Sequence, residues 1–202
     1  EENNMFSRGC IFVASAGGGC YQLQLQTPTT AVLGTKAKKI HVTNPNPNTS
    51  ISNSNNNNDS SSPIQLNKAR FCVGVEKSIA DAQGLCTKMA QSLHGGLSDS
   101  GEIKYAIQMD SQAKYAVVAR GGAEYYVRLP SPEWVENKWD HAAGKVVLTE
   151  AGGKWTDTTG NENVDFGIPG PKISSSVRGI LGSNGGKFHD QLLSAFQKQV
   201  PK

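Results

Sequence analysis

The chain has 202 residues, 37% of them hydrophobic and 18% charged, which is enough apolar material for one packed domain or one domain and part of another. Twenty Lys and Arg against seventeen Asp and Glu leave a net charge of +3, which excludes a nucleic-acid binder that works by charge alone. No apolar run reaches the roughly 20 residues of a membrane span, and no basic-then-apolar leader follows Glu1, so the expectation is a soluble intracellular protein, either processed or a piece of a longer chain.

Gly9 to Ala14 and Cys20 to Leu25 are short strand-like runs around Ser15-Ala16-Gly17-Gly18-Gly19, which predicts a hairpin. A phosphate cradle would need Gly-Lys-Ser/Thr opening a helix, and Cys20-Tyr21 follows instead. Lys39 to Thr43 reads as a further strand. From Asn44 to Pro63 the chain is almost all Asn, Ser, Pro and Thr, a composition that cannot bury enough apolar surface to offset its ordering entropy, so an inserted surface loop is expected. Ala69 to Val75 predicts a strand.

Helical spacing begins with Ala82, Leu85, Cys86, Met89 and Leu93, capped by Ser78 with Asp81 and closed by Gly95-Gly96. Lys114 to Ala119 and Ala123 to Leu129 read as two strands around Arg120-Gly121-Gly122. Ala143, Val146, Val147 and Glu150-Ala151 predict a helix that starts near Asp140 and ends at Gly152-Gly153. Arg178 to Gly182 reads as a buried strand, and Phe188, Leu192, Ala195, Phe196 and Val200 as a last helix. Strands alternating with helices over the second half point to an α/β layered fold, while the first half reads as the edge of another sheet. The expected organisation is therefore residues 1–76 as strands of one domain and 77–202 as an α/β domain.

The four cysteines (Cys10, Cys20, Cys72, Cys86) form no C-x-x-C pair and share no His at zinc-finger spacing, so they read as small buried hydrophobes rather than metal ligands or a disulfide framework. His41, His94 and His189 are isolated in sequence and read as structural.

The informative segment is Trp139-Asp140-His141-Ala142-Ala143-Gly144. An Asp at the first turn of a helix lies beside unpaired backbone N–H groups and the positive end of the dipole. A phosphate can bind those groups while the carboxylate holds a divalent cation. An ordinary capping Asp is the competing reading. The segment is the W-D-x-A-A-G pattern, and Glu150-Ala151-Gly152-Gly153 follows as E-A-G-G. Asp110-Ser111-Gln112-Ala113-Lys114-Tyr115 spells D-S-Q-A-K-Y, Arg128-Leu129-Pro130 R-L-P, and Lys138-Trp139-Asp140-His141 a K-W-D-H; Asp165-Phe166-Gly167 and Arg178-Gly179-Ile180 complete the set.

On these motifs the chain, from about Gly9 to Phe196, resembles the lithium-sensitive, magnesium-dependent phosphatases of the inositol monophosphatase superfamily, and within it the 3'(2'),5'-bisphosphate nucleotidases. The resemblance implies the layered α/β fold of that superfamily and metal-assisted removal of the 3'-phosphate of 3'-phosphoadenosine 5'-phosphate to leave AMP, with Mg2+ as cofactor. It implies a small-molecule substrate, with neither nucleic acid nor membrane as partner, and a monomer as the complete form. Carried over by residue, Asp140 is the metal ligand, and Ser111, Lys114 and Arg128 contact substrate together with Asp140. A Lys and an Arg on neighbouring strands would suit a doubly phosphorylated nucleotide, one as a point charge and one as a fork. His141, beside the ligand, reads as a packing or supporting residue.

Two departures stand out. The superfamily's D-P-[IL]-D-G-T signature is absent, so no complete catalytic set is expected in this chain, and the missing part is expected before Glu1. Ser78-Ile79-Ala80-Asp81 stands where the nucleotidases carry H-S-x-H. An inositol phosphatase of the same superfamily, and a truncated non-catalytic product, are the alternative readings.

Overall fold

The computed structural model describes residues 9–24, 37–43, 65–74, 85–95, 99, 104–130, 134–177 and 179–198. The expected Asn-rich loop, the Ser78–Asp81 cap and Arg178 lie outside them.

The hairpin forms as expected. Strands β1 (Cys10–Ser15) and β2 (Gly19–Gln24) pair antiparallel, and β3 (Lys38–Ile40) joins the other edge of β2. The last of these is shorter than the expected Lys39–Thr43 strand, because the Val42 N–H leaves the sheet and donates to the Ala151 carbonyl at 3.0 Å.

A second sheet has five strands in the order β5-β4-β6-β8-β7: β4 (Phe71–Val73), β5 (Ala106–Gln108), β6 (Tyr125–Arg128), β7 (Lys154–Asp157) and β8 (Ile180–Ser183). The first three run parallel; β8 is antiparallel to both β6 and β7. Neither β5 nor β7 is marked in the sequence, being only 3 and 4 residues long with polar residues among them. The five-stranded sheet draws strands from both sides of the 76/77 division, since β4 pairs with β5 and β6.

Four helices are described: α1 (Leu85–His94), α2 (Ala113–Ala119), α3 (Ala142–Glu150) and α4 (Gly186–Gln197). The second corrects the sequence reading, which made Lys114 to Ala119 a strand. Its residues from Lys114 to Ala119 are all buried, so the run shows no amphipathic stripe, and periodicity cannot separate a short buried helix from a buried strand. Gly121, at φ 77°, is the residue that ends α2: its N–H reaches the Val118 carbonyl at 3.0 Å and that of Gly122 the Val117 carbonyl at 2.8 Å. The two glycines close a helix and not a hairpin.

Alternation along the strands sorts the core. Phe71, Val73, Tyr125, Val127 and Leu181 face α4 residues Phe188, Leu192 and Phe196. Cys72, Tyr126 and Ile180 face the opposite side with Tyr115, Val118 and Leu148 of α2 and α3. A third cluster of Cys20, Ile40, Ala119 and Ala151, with Phe12, Ala14 and Val147 against it, packs the small sheet on the far side of the same two helices. Thus α2 and α3 lie between two sheets, and the layered α/β architecture expected from the sequence is present. The hairpin turn is tied to α3 by Glu150, whose carboxylate accepts the N–H groups of Gly17 and Gly19, both at 2.8 Å. Cys20 and Cys72 are buried free thiols and Cys10 is half-buried.

Candidate functional site

Three segments meet at one end of the five-stranded sheet. After β5, Met109 and Asp110 lead to Ser111, whose φ of 60° turns the chain into α2. The Ser111 hydroxyl oxygen accepts the Ala113 N–H at 3.3 Å. Lys114 is thereby placed on the first turn of a helix, not on a strand, and its side chain is 5% exposed. Its ammonium donates to the Met109 carbonyl at 3.2 Å and lies 5.4 Å from the centre of the Tyr126 ring. Burial, then the like charge of Arg128, lowers the Lys114 pKa, while Asp110 and Asp140 act in the opposite sense. Lys114, Arg128 and Asp140 therefore share one electrostatic neighbourhood.

Arg128 ends β6 and donates through Nε to Glu136 Oε1 at 2.7 Å. Asp140 is exposed and is the last residue of a 3-10 turn, Lys138–Asp140, whereas α3 begins at Ala142 without a side-chain cap. The expected capping geometry is not present. One oxygen, Oδ2, accepts Asn137 Nδ2–H at 2.9 Å, and the first-turn N–H of Gly144 is taken by Gln112 Oε1 at 2.6 Å. The same Gln112 amide donates to the Trp139 carbonyl at 2.5 Å. A primary amide both donates and accepts, and here it brackets the Asp140 loop from either side.

Lys114, Arg128 and Asp140 lie within electrostatic reach of one another, Ser111 is on the turn that leads into the helix of Lys114, and further side chains pack beside them. Tyr115 and His141 are each 1% exposed. Trp155 Nε1–H donates to the Tyr115 hydroxyl at 3.2 Å, and that hydroxyl lies 2.7 Å from His141 Nδ1. His141 Nε2 faces Glu136 Oε2 at 3.4 Å. Burial pushes the Glu136 carboxyl up, but His141 and Arg128 outweigh it and hold it at about 2. His141 is thus the supporting residue expected. Glu136 and Gln112 are invisible to spacing arguments because each acts across the fold. Of the remaining histidines, two are buried structural groups and not isolated: His94 Nε2 lies 2.9 Å from the Tyr125 hydroxyl, and His189 sits between Ser183 Oγ at 2.8 Å and Thr156 Oγ1 at 3.0 Å.

Gly144 explains the last position of the W-D-x-A-A-G pattern. A Cβ there would lie 2.1 Å from Tyr115 Cδ2 and 2.6 Å from Cγ. The D-S-Q-A-K-Y tyrosine and the signature glycine are two halves of one contact.

Among the described residues no group of three or more His, Cys, Asp and Glu could hold a metal ion, and no helix is long and apolar enough to cross a membrane.

Comparison with known proteins identifies the relatives of this chain. The family model described as the inositol monophosphatase family matches residues 8–200. A 3'(2'),5'-bisphosphate nucleotidase of Emericella nidulans is 34% identical over 200 residues, 98% of this chain and 47% of that protein. The 3',5'-bisphosphate nucleotidase AHL of Arabidopsis thaliana is 39% identical over 101 residues, 50% of this chain and 26% of its own. The chain thus spans about half or less of the curated relatives it matches. Among solved structures, an inositol monophosphatase from Anabaena aligns with TM-score 0.56 at 22% identity, over 95% of this chain and 55% of that one. SuhB of Mycobacterium tuberculosis aligns with TM-score 0.54 at 14% identity, over 94% and 54%. Both establish the fold.

Proposed function

The chain belongs to the inositol monophosphatase family, and on that premise we propose that it carries the phosphate-binding portion of a 3'(2'),5'-bisphosphate nucleotidase, an enzyme that removes the 3'-phosphate of 3'-phosphoadenosine 5'-phosphate to leave AMP. The observation that carries this reading is the pairing of a buried Lys114, whose ammonium donates to the Met109 carbonyl, with an Arg128 whose Nε donates to Glu136. Burial is costly for the Lys114 ammonium, and an incoming phosphate oxyanion offsets that cost. Two cations beside each other suit a ligand with more than one phosphate. The names of the relatives point the same way.

In this reading Lys114 and Arg128 bind phosphate oxygens, Ser111 offers its hydroxyl at the turn before α2, and Asp140 presents the carboxylate oxygen that Asn137 does not occupy. All four lie in 77–202, the portion read as the α/β domain. Mg2+ is the cofactor the family resemblance implies, supplying charge neutralisation and an activated water when bound. The described residues do not fit a complete site for it. A hard cation takes about six oxygens, and Asp140 offers one carboxylate. This chain's part is to bind and orient the phosphates.

The test is calorimetric titration of the chain with adenosine 3',5'-bisphosphate and with inositol 1-phosphate. Lys114→Ala and Arg128→Ala should each weaken the nucleotide about tenfold or more, one charge-assisted contact being worth about 1.5–3 kcal/mol, and the inositol ester less. Equal losses on both ligands would favour the inositol phosphatase reading.

A further inference from the structure

Glu136 is 3% exposed, yet neither packing nor substrate contact accounts for a carboxylate at that place. Its backbone is fixed on both sides: its carbonyl accepts the Ile173 N–H at 3.0 Å, Asn137 forms an antiparallel bridge with Lys172, and the Lys138 N–H donates to the Pro171 carbonyl at 2.9 Å. Its side chain touches two of the elements that build the site. Oε1 takes Arg128 Nε at 2.7 Å, and Oε2 faces His141, whose other ring nitrogen is held by Tyr115. One rigidly mounted carboxylate is therefore the link between the end of β6 and the residue that follows Asp140.

Which guanidinium nitrogen is bound matters. A guanidinium has five N–H donors in a planar fork. Glu136 uses the one nearest the aliphatic stem, and among the described residues no acceptor is recorded for Nη1 or Nη2. A carboxylate at Nε fixes the side-chain torsions and the plane of the fork while leaving its outer edge available. An arginine held in this way loses less rotamer freedom when an oxyanion arrives, so more of each contact appears as affinity.

We propose that Glu136 is a positioning residue for ligand phosphate: through Nε it holds Arg128 with its Nη edge presented to the phosphate of the nucleotide. The proposal rests on the nucleotide-binding reading above. It makes a prediction opposite in sign to simple charge balance. If Glu136 only neutralised Arg128, removing it would raise the local positive charge and strengthen anion binding. If it positions Arg128, removing it weakens binding even though a negative charge has gone.

The experiment titrates adenosine 3',5'-bisphosphate into the chain and into Glu136→Ala, Glu136→Gln, Arg128→Ala and the Glu136→Ala/Arg128→Ala double variant, each checked for a native melting transition. Glu136→Ala should weaken binding about tenfold, the size expected when one long side chain must be immobilised by the ligand instead of beforehand. Glu136→Gln, whose Oε1 still accepts from Nε–H, should recover most of that loss. In the Arg128→Ala background Glu136→Ala should change affinity by less than about twofold, because there is nothing left to position. Unchanged or tighter binding in Glu136→Ala overturns the proposal, as does an equal loss with and without Arg128. Should Glu136→Ala fail to fold, the unmodified chain decides by nuclear magnetic resonance: the Arg128 Nε–H must exchange more slowly than that of exposed Arg120, and equal exchange overturns the proposal. Absence of nucleotide binding by the unmodified chain refutes the proposed function and this inference with it, whereas normal binding with an indifferent Glu136→Ala refutes the inference alone.

Discussion

Replacing Gly144 by Ala sets two effects of opposite sign against each other, and the structure decides between them. Gly144 is the third residue of α3. Judged by helix propensity alone, Ala is better than Gly by about 1 kcal/mol. The added methyl, however, would sit 2.1, 2.6 and 2.7 Å from Tyr115 Cδ2, Cγ and Cε2. These atoms lie at the root and one flank of the ring, so no flexible chain end can swing away. Tyr115 is itself enclosed, 1% exposed, edge-on to Tyr126 with centroids 4.7 Å apart, and bonded through its hydroxyl to His141 and Trp155. Making room costs about 1–3 kcal/mol for overpacking and about 1 kcal/mol for each hydroxyl bond that breaks. The net expectation for Gly144→Ala is a loss of about 2–3 kcal/mol, which in a chain of this size lowers the melting temperature by roughly 5–10 °C. Urea denaturation with unchanged slope is the assay. Ala143→Gly, at an exposed position one residue earlier, is the control and should cost only the propensity difference. In a Tyr115→Leu background the penalty should shrink, since the blocking ring is gone. A Gly144→Ala protein that is more stable than the parent would show that propensity wins and that the close contact is not rigid.

Three further outcomes follow from the buried groups and the site. Burial pushes His189 from 6.5 down to about 4. A group with a depressed folded pKa gives stability that is present above its unfolded value and is lost as pH falls, so the unfolding free energy from urea titration should drop between about pH 6.5 and pH 4, by at most about 3 kcal/mol from this side chain. His189→Gln should flatten that slope without abolishing it, because burial also lowers His94; a slope unchanged by the substitution would refute the assignment. Cys72, pushed up to about 12 by burial, should resist a thiol reagent at pH 8 until the chain unfolds, while half-buried Cys10 reacts in the native state; prompt labelling of Cys72 would mean the sheet opens locally. With magnesium present, this chain alone should release no phosphate from 3'-phosphoadenosine 5'-phosphate, because Asp140 is one carboxylate where the hydrolysis needs several; turnover near 1 per second or faster would refute this.

What the sequence disclosed and what it concealed follow from the range of the interactions involved. The β1–β2 hairpin, α1, α3 and α4 are written locally, as glycine turns and as apolar residues at spacings of three and four. Helix α2 is not, because it lies between two sheets and is apolar on every side. Lys114, the one charge within it, looks like a strand charge until the helix places it beside Arg128. The proposed site divides in the same way. Ser111, Lys114, Arg128 and Asp140 stand in short motifs that can be recognised one at a time. The contacts that hold them cannot be read that way: Gln112, though inside a motif, reaches across 32 residues to the Gly144 N–H, and Glu136 draws its meaning from the end of a strand eight residues earlier and from a histidine five residues later.

That division bears on how the motifs are to be understood. D-S-Q-A-K-Y and W-D-x-A-A-G look like two separate signatures, yet in the fold each supplies the other's missing part. Gln112 of the first fixes the loop of Asp140 in the second, Gly144 of the second makes room for Tyr115 of the first, and Tyr115 in turn holds His141 beside Asp140. The exposed ends of the pair, Ser111 and Asp140, are the residues with chemistry to offer. Tyr115, His141 and Gly144 between them are buried, and with half-buried Gln112 they join the two ends. A substitution at Gln112, Tyr115 or Gly144 should therefore disturb ligand binding without touching the ligand, and the physical reason is that α2 and α3 are locked by the same side chains that present the site.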